Sequence, residues 1–246
     1  MGVTIAVVSG KGGTGKTSVC AGVAIALAQS GLRVLCVDCD VGLRNLDISL
    51  GMSDVGTLSF LDVSEGGYDI SLVPRHPDYP QLAFLTAPMN RPVEKIDVDA
   101  FRKMLRQARD QFDYILLDAP AGVDAGFRLV ASAADRFLLV TGAGPAAVRD
   151  AARVGELLEL MGKTDVRLIV NRVNKNMMTV LRLTIDDVMD RAGLGLIGVV
   201  LEDDDVPLAA ACGLPLIRFN KRASAVAVYK KIARRIQGLS EPITLR

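Results

Sequence analysis

Apolar, β-branched runs of five or six residues recur along the chain, each closed by a polar or glycine-rich stretch. Residues 3–8, 33–38, 70–74, 82–86, 114–118, 136–141, 167–171 and 196–200 have the length and composition of buried strands. Helical spacing occupies 16–30, 97–111, 124–134, 146–161, 180–192, 205–212 and 224–237. This alternation predicts an α/β fold with a mainly parallel sheet of about seven or eight strands, flanked by helices on both faces. Ligands of such sheets sit at the carboxyl ends of the strands. Prolines mark 75–81 and 87–95 as loops. The last helical pattern carries an apolar stripe of Ala225, Val228, Tyr229, Ile232, Ile236 and Leu239, with Lys230, Lys231, Arg234 and Arg235 on its other faces. The preferred reading is a final core helix; the other is a basic helix lying in a membrane surface. Pro242 breaks the remaining tail, 239–246, where no membrane anchor is recognisable.

The 246 residues, half of them hydrophobic, fit one domain spanning 1–246 without a linker. A net charge of +1 argues against a strongly basic nucleic-acid surface, so no specific nucleic acid is expected. Cys20, Cys36, Cys39 and Cys212 do not make a secreted disulfide framework. No leader precedes the first strand, and no uncharged apolar run reaches membrane-spanning length. The expectation is a cytoplasmic protein, with peripheral attachment at the inner face of the cell membrane left open.

The chemistry concentrates in "VVSGKGGTGKTS", residues 7–18. Gly10, Gly15, Lys16 and Thr17 satisfy the phosphate-loop pattern G-x-x-x-x-G-K-[ST], between a strand and a helix as that pattern requires. Its glycines let the backbone approach phosphates, and successive N–H groups at a helix start point at the anion. Gly10 through Ser18, including Gly12, Gly13 and Thr14, therefore read as the nucleotide cradle of a single-domain P-loop NTPase. Lys16 is placed to bridge the β- and γ-phosphates, and the Thr17 hydroxyl to ligate Mg²⁺. Asp38 and Asp40 follow the second strand, two residues apart; nearby carboxylates suit a Mg²⁺ shell and the orientation of water, although helix caps and solvated loops use Asp as freely. Asp118 ends the apolar run 114–118, a buried strand delivering a carboxylate to the metal's hydration sphere.

Lys11 is the departure: one lysine suffices for a phosphate loop. Lys11-Gly12-Gly13-Thr14-Gly15-Lys16-Thr17 resembles the deviant loop K-G-G-x-G-K-[ST] of the MinD/ParA group of ATPases. That resemblance implies ATP and ADP as ligands, Mg²⁺, and an ATP-dependent homodimer in which Lys11 reaches the partner's nucleotide as a cation supplied in trans. The alternative is a solvated surface lysine. The run Asp40–Asp47 resembles the switch region of the group's division-site (MinD) branch, which implies that Asp40 polarises the attacking water and Asp38 supports the metal shell. Asp118-Ala119-Pro120-Ala121-Gly122 resembles its D-x-P-A-G. By the same resemblance Asn171 and Arg172 sit near adenine, and "AAVRDA" (146–151) lies near a face for Min-type partners, an inhibitor and an activator, while 142–144 departs from the group's Asn-Pro-Glu.

Cys36 and Cys39 form C-x-x-C, but strand period two points them to opposite faces, so inert thiols are expected rather than a metal site. His76 stands in a proline-rich loop without companion ligands, and no catalytic role is expected of it. A division-site ATPase leads. Partition or flagellar-number ATPases are the alternative, and an iron–sulfur carrier fits worse because the cysteines are misplaced.

Overall fold

β1 (Val3–Val8) is buried from Thr4 onward and has strands on both edges, β4 (Tyr114–Asp118) and β5 (Arg136–Thr141). β2 (Val34–Asp38) and β3 (Leu82–Leu85) extend the sheet on one side, β6 (Val166–Val173) and β7 (Gly195–Leu201) on the other. The order is β3-β2-β4-β1-β5-β6-β7, and every pairing is parallel. The computed structural model describes residues 1–55, 57–89 and 91–243.

Parallel neighbours need crossovers, and helices supply them. In chain order these are α1 (Lys16–Gln29), α2 (Leu46–Leu50), α3 (Phe60–Ser64), α4 (Val98–Gln111), α5 (Ala125–Ala133) and α6 (Pro145–Leu160), then α7 (Lys175–Leu181), α8 (Ile185–Ala192), α9 (Asp205–Ala211), α10 (Leu216–Phe219) and α11 (Ser224–Ile236). The pleat sorts neighbouring residues to opposite faces. Ala6 and Val8 join the core under α3, α4, α5, α6 and α8, whereas Ile5 and Val7 join the core under α1, α2 and α11. Because β1 is central and parallel, its carboxyl end delivers the glycine loop to the middle of one sheet end, flanked by the ends of β4, β2, β5 and β6.

α11 packs as a core helix. Ala225, Tyr229, Ile232 and Ile236 are buried, while Leu239 lies beyond the helix and is exposed. The Tyr229 ring lies on Gly22 of α1, where an added Cβ would fall 2.1 Å from Cδ2. Gly22→Ala must therefore push α11 off α1. Overpacking of this kind costs about 1–3 kcal/mol, to be read from urea unfolding. A variant as stable as the parent would show that the α1–α11 contact is loose.

Three expectations from the pattern need correction. Residues 70–74 are not a strand: Ile70–Leu72 is a 3-10 turn, started by the Asp69 carboxylate accepting from the Ser71 amide at 2.8 Å. The sheet thus has seven strands. The helix expected over 180–192 is split into α7 and α8, because Arg182 takes a left-handed conformation (φ +50°) and Thr184 with Asp187 forms a capping box that starts α8 afresh. The loop at 87–95 contains a 3-10 turn, Val93–Lys95. The expected tail 239–246 falls partly on 244–246, outside the described residues.

Candidate functional site

The chain leaves β1 at Val8 and re-enters regular structure at Lys16, the first residue of α1. Gly13 (φ +78°) and Gly15 (φ +83°) hold the turn in left-handed conformations that side chains strain against. Asn171 and Arg172, at the carboxyl end of β6, brace this turn from outside: Asn171 Nδ2 donates to the Thr14 carbonyl at 2.8 Å and Arg172 Nη1 to the Gly13 carbonyl at 3.1 Å. Gly15 must be glycine for a second reason, since a Cβ there would lie 2.2 Å from Asn171 Nδ2. Gly10 abuts Asp150 of α6, with no room for a side chain. Ser9 donates to the Lys11 carbonyl at 3.1 Å, and the Gly122 amide donates to the Ser9 carbonyl at 3.1 Å, which ties the turn after β4 to the root of the loop.

The carbonyls of Gly13 and Thr14 are thus taken by β6. Among the described residues, the amides of Gly12, Gly13, Thr14 and Gly15 donate to no acceptor of the chain. The Thr14 hydroxyl is buried without a partner. Nothing stands where Cβ atoms of Gly12 and Gly13 would be. Open space rimmed by unpaired N–H and O–H donors suits a polyphosphate.

Opposite this cradle lie the carboxylates. β2 and β4 pair with Asp38 level with Asp118. Lys16 Nζ lies 2.5 Å from Asp118 Oδ1, both buried. Burial alone would lower the Lys16 pKa, but the Asp118 carboxylate outweighs it and the ammonium is held above its ordinary value. Asp38 gives both oxygens to the following segment: Oδ1 accepts from the Asp40 amide at 2.9 Å, Oδ2 from the Leu46 amide at 3.2 Å. Burial, and then the neighbouring Asp118, push the Asp38 carboxyl up to about 7. Half-buried Asp40 is also raised, by burial first, with Lys16 pulling the other way.

One ammonium among three carboxylates attracts a divalent cation. Among the described residues, no three acidic, histidine or cysteine side chains converge as a cage. Thr17, in the first turn of α1, is half-buried at the edge of the same space. Lys11 is exposed, and its ammonium has no partner among the described residues. Arg149 is exposed at the start of α6, one residue before the Asp150 that touches Gly10.

Beside the loop is a cavity of about 260 Å³ whose walls include Asn171, Arg172, Glu202, Pro207, Ala210 and Tyr229. Pro207 and Ala210 escaped the sequence reading, and Tyr229 was read only as part of an apolar stripe, although α9 follows the carboxyl end of β7, the sheet end where ligands are expected. Arg172 also pairs with Glu202 at 3.3 Å. Cys36 and Cys39 enter opposite cores, as period two requires, and His76 is buried against α2, on the Leu50 carbonyl.

Residues 5–216 match the family described as the CobQ/CobB/MinD/ParA nucleotide binding domain. Among curated proteins, the septum site-determining protein MinD of Synechocystis is 36% identical over 241 residues, covering 97% of this chain and 90% of the relative. Among solved structures, the MinC:MinD cell division protein complex of Aquifex aeolicus superposes with a TM-score of 0.89 at 33% identity, over 98% of both chains. MinD of Pyrococcus horikoshii, complexed with Mg-ADP, superposes at 0.83 with 25% identity, over 96% of both chains.

Proposed function

We infer that this chain, which belongs to the CobQ/CobB/MinD/ParA nucleotide-binding family, is a MinD-type ATPase of division-site placement that couples Mg-ATP hydrolysis to a monomer–homodimer switch. The observation that carries this reading is the loop with two lysines in opposite circumstances: Lys16 is buried against Asp118, and Lys11 is exposed with no partner among the described residues.

The residues divide the work as follows. Amides of Gly12–Gly15 and the Thr14 hydroxyl bind the phosphates, and Asn171 and Arg172 hold the loop so that these donors face inward. Phosphate oxygens replace Asp118 on Lys16, which frees that carboxylate, with Thr17 and Asp38, to hold the cation's ligand shell. Bound Mg²⁺ supplies charge neutralisation at the transferred phosphoryl group. Asp40 takes hydrogen bonds from the attacking water and orients it. Lys11, exposed on the loop, reaches the nucleotide of a second copy, where its charge offsets that of the transition state. The cavity beside Asn171 and Arg172 receives the base.

Residues 1–246 act as one ATPase domain. Min-type partners, of the kind named in the Aquifex complex, dock near Arg149 and the start of α6. No helix among the described residues is long and apolar enough to cross a membrane. The stripe of α11 is buried in the core, so 224–236 is not itself a membrane-surface helix, and location at the inner face of the membrane depends on other contacts.

Light scattering of the wild-type chain with Mg-ATP and with Mg-ADP tests the switch. A doubling of mass with ATP alone is the expected result, and a monomer in both refutes it. Co-sedimentation of the ATP form with anionic vesicles and with DNA places it among the group's branches. ATP-dependent DNA binding without partners would favour a partition ATPase.

A further inference from the structure

The chain's only histidine lies outside the nucleotide site, yet it holds one end of the segment that carries Asp40. His76 Nε2 is 2.8 Å from the Leu50 carbonyl, the last residue of α2. Its Nδ1 receives the Asp78 amide at 3.0 Å and the Tyr79 amide at 3.3 Å. A ring nitrogen that takes two N–H donors has no proton, so Nε2 carries it and donates to Leu50. The ring is buried, stacked at a tilt on Tyr79 with 4.7 Å between centroids, and its tautomer is fixed by these three bonds. The charged groups facing it are Asp78 and Arg218 of α10, paired with each other. Beside them Gly51, left-handed at φ +67°, abuts Pro215, so the end of α2 is pressed between His76 and the start of α10.

The other end of α2 is the Leu46 amide, held by Asp38 Oδ2, while Asp38 Oδ1 holds the Asp40 amide. α2 is therefore a short strut with His76 at one end and, at the other, the carboxylate that positions Asp40. Protonating Nδ1 would aim its new N–H at two other N–H donors and break both bonds inside a buried turn. Burial holds the imidazole below its ordinary value of 6.5, with the Leu50 carbonyl and Asp78 opposing and Arg218 adding to the effect.

We propose that His76 is a positioning residue for the Asp40–Leu50 segment: neutral, it fixes the carboxyl end of α2, and its protonation releases that end and slows turnover without changing nucleotide affinity. This rests on the ATPase reading above. The sign follows from linkage. The folded imidazole titrates below the unfolded one, so the contribution of the clamp is full above 6.5 and is lost as pH falls from there through the folded value.

His76 gives a single histidine resonance, so NMR reads its titration directly in the wild-type chain. His76→Gln keeps a donor for Leu50 and cannot titrate. His76→Asn keeps an acceptor for Asp78 and Tyr79 but cannot reach Leu50. Across the pH range of the His76 titration, wild-type kcat is expected to fall about tenfold further than that of His76→Gln, because displacing a positioned group costs rate. Any decline due to the carboxylates is common to both and cancels. His76→Asn is expected to have a low kcat without the His76-linked decline. KM for ATP and Kd for Mg-ADP are expected to stay equal in all three. Superimposable wild-type and His76→Gln profiles would overturn the proposal, as would a matching change in Mg-ADP affinity. The difference between wild type and His76→Gln in the amide shifts of residues 40–51, taken in the Mg-ADP form so that the titration of Asp38 cancels, provides the readout that needs no hydrolysis. If it ignores the His76 titration, the clamp is refuted and the ATPase reading is untouched. If it follows that titration in a chain that never hydrolyses ATP, the clamp is upheld and the ATPase reading fails.

Discussion

Lys16→Ala binds Mg-ADP at least about 100-fold more weakly than the parent chain, because two or more charge-assisted hydrogen bonds of about 1.5–3 kcal/mol each are lost with the ammonium. Calorimetric titration is the measurement. The structure adds a second consequence. Lys16 is the cation on Asp118, and Asp118 stands level with Asp38 on the neighbouring strand. Removing the ammonium leaves those buried carboxyl groups facing each other. Breaking a buried pair costs about 3–5 kcal/mol when the remaining charge stays ionised; here proton uptake by the neighbouring Asp38 relieves part of that. The variant should therefore also melt at a lower temperature without nucleotide, and the loss should shrink as pH falls and Asp38, already raised to about 7, takes up its proton. Unchanged ADP affinity would mean that Lys16 does not reach the phosphates and that its pair with Asp118 is structural.

Asp40→Ala is the second large effect. Asp40 is half-buried beside Lys16, and its amide, not its carboxylate, makes the contact with Asp38. The substitution leaves that backbone bond in place and removes the group that would orient water. Loss of a general base lowers turnover by about 10²–10⁴-fold, while ATP binding persists. The variant should accumulate as an ATP-loaded dimer in light scattering. Lys11→Ala should do the reverse: its ammonium has no partner among the described residues, so Mg-ADP affinity is retained and the ATP dimer is lost. If Asp40→Ala remains a monomer at saturating Mg-ATP, the dimer reading fails. If Lys11→Ala loses ADP affinity as fully as Lys16→Ala, Lys11 acts within its own site.

The glycine loop was legible because each of its residues is constrained by backbone or chemistry, and a local pattern records both. The strands were legible because burial on both faces leaves uninterrupted apolar runs. What escaped was set by contacts distant in sequence. Residues 70–74 have a strand's composition, yet the Asp69 carboxylate bends them into a turn at the sheet's edge. Asn171 and Arg172 were expected beside the base; they line a cavity next to the loop, and their nitrogens go to loop carbonyls, a bracing that no spacing in the sequence reveals. His76 looked idle in a proline-rich loop because its partner, Leu50, offers only a backbone carbonyl, which any residue could supply.

The seat of Tyr229 on Gly22 joins nearly opposite ends of the chain, and that sets a schedule for synthesis. The phosphate loop and α1 leave the ribosome early, but α11, which covers the underside of α1, follows only after the rest of the sheet. At ~5–20 residues per second, roughly 10–40 s separate the two. Through that interval the apolar underside of α1 lacks its cover, and the first helical turn, with Lys16 and Thr17, rests on an unfinished layer. A nascent chain has the complete nucleotide motif long before it has a rigid site. Products that stop short of α11 should neither retain ATP nor enter the dimer, and chaperones meet in them the uncovered face of α1.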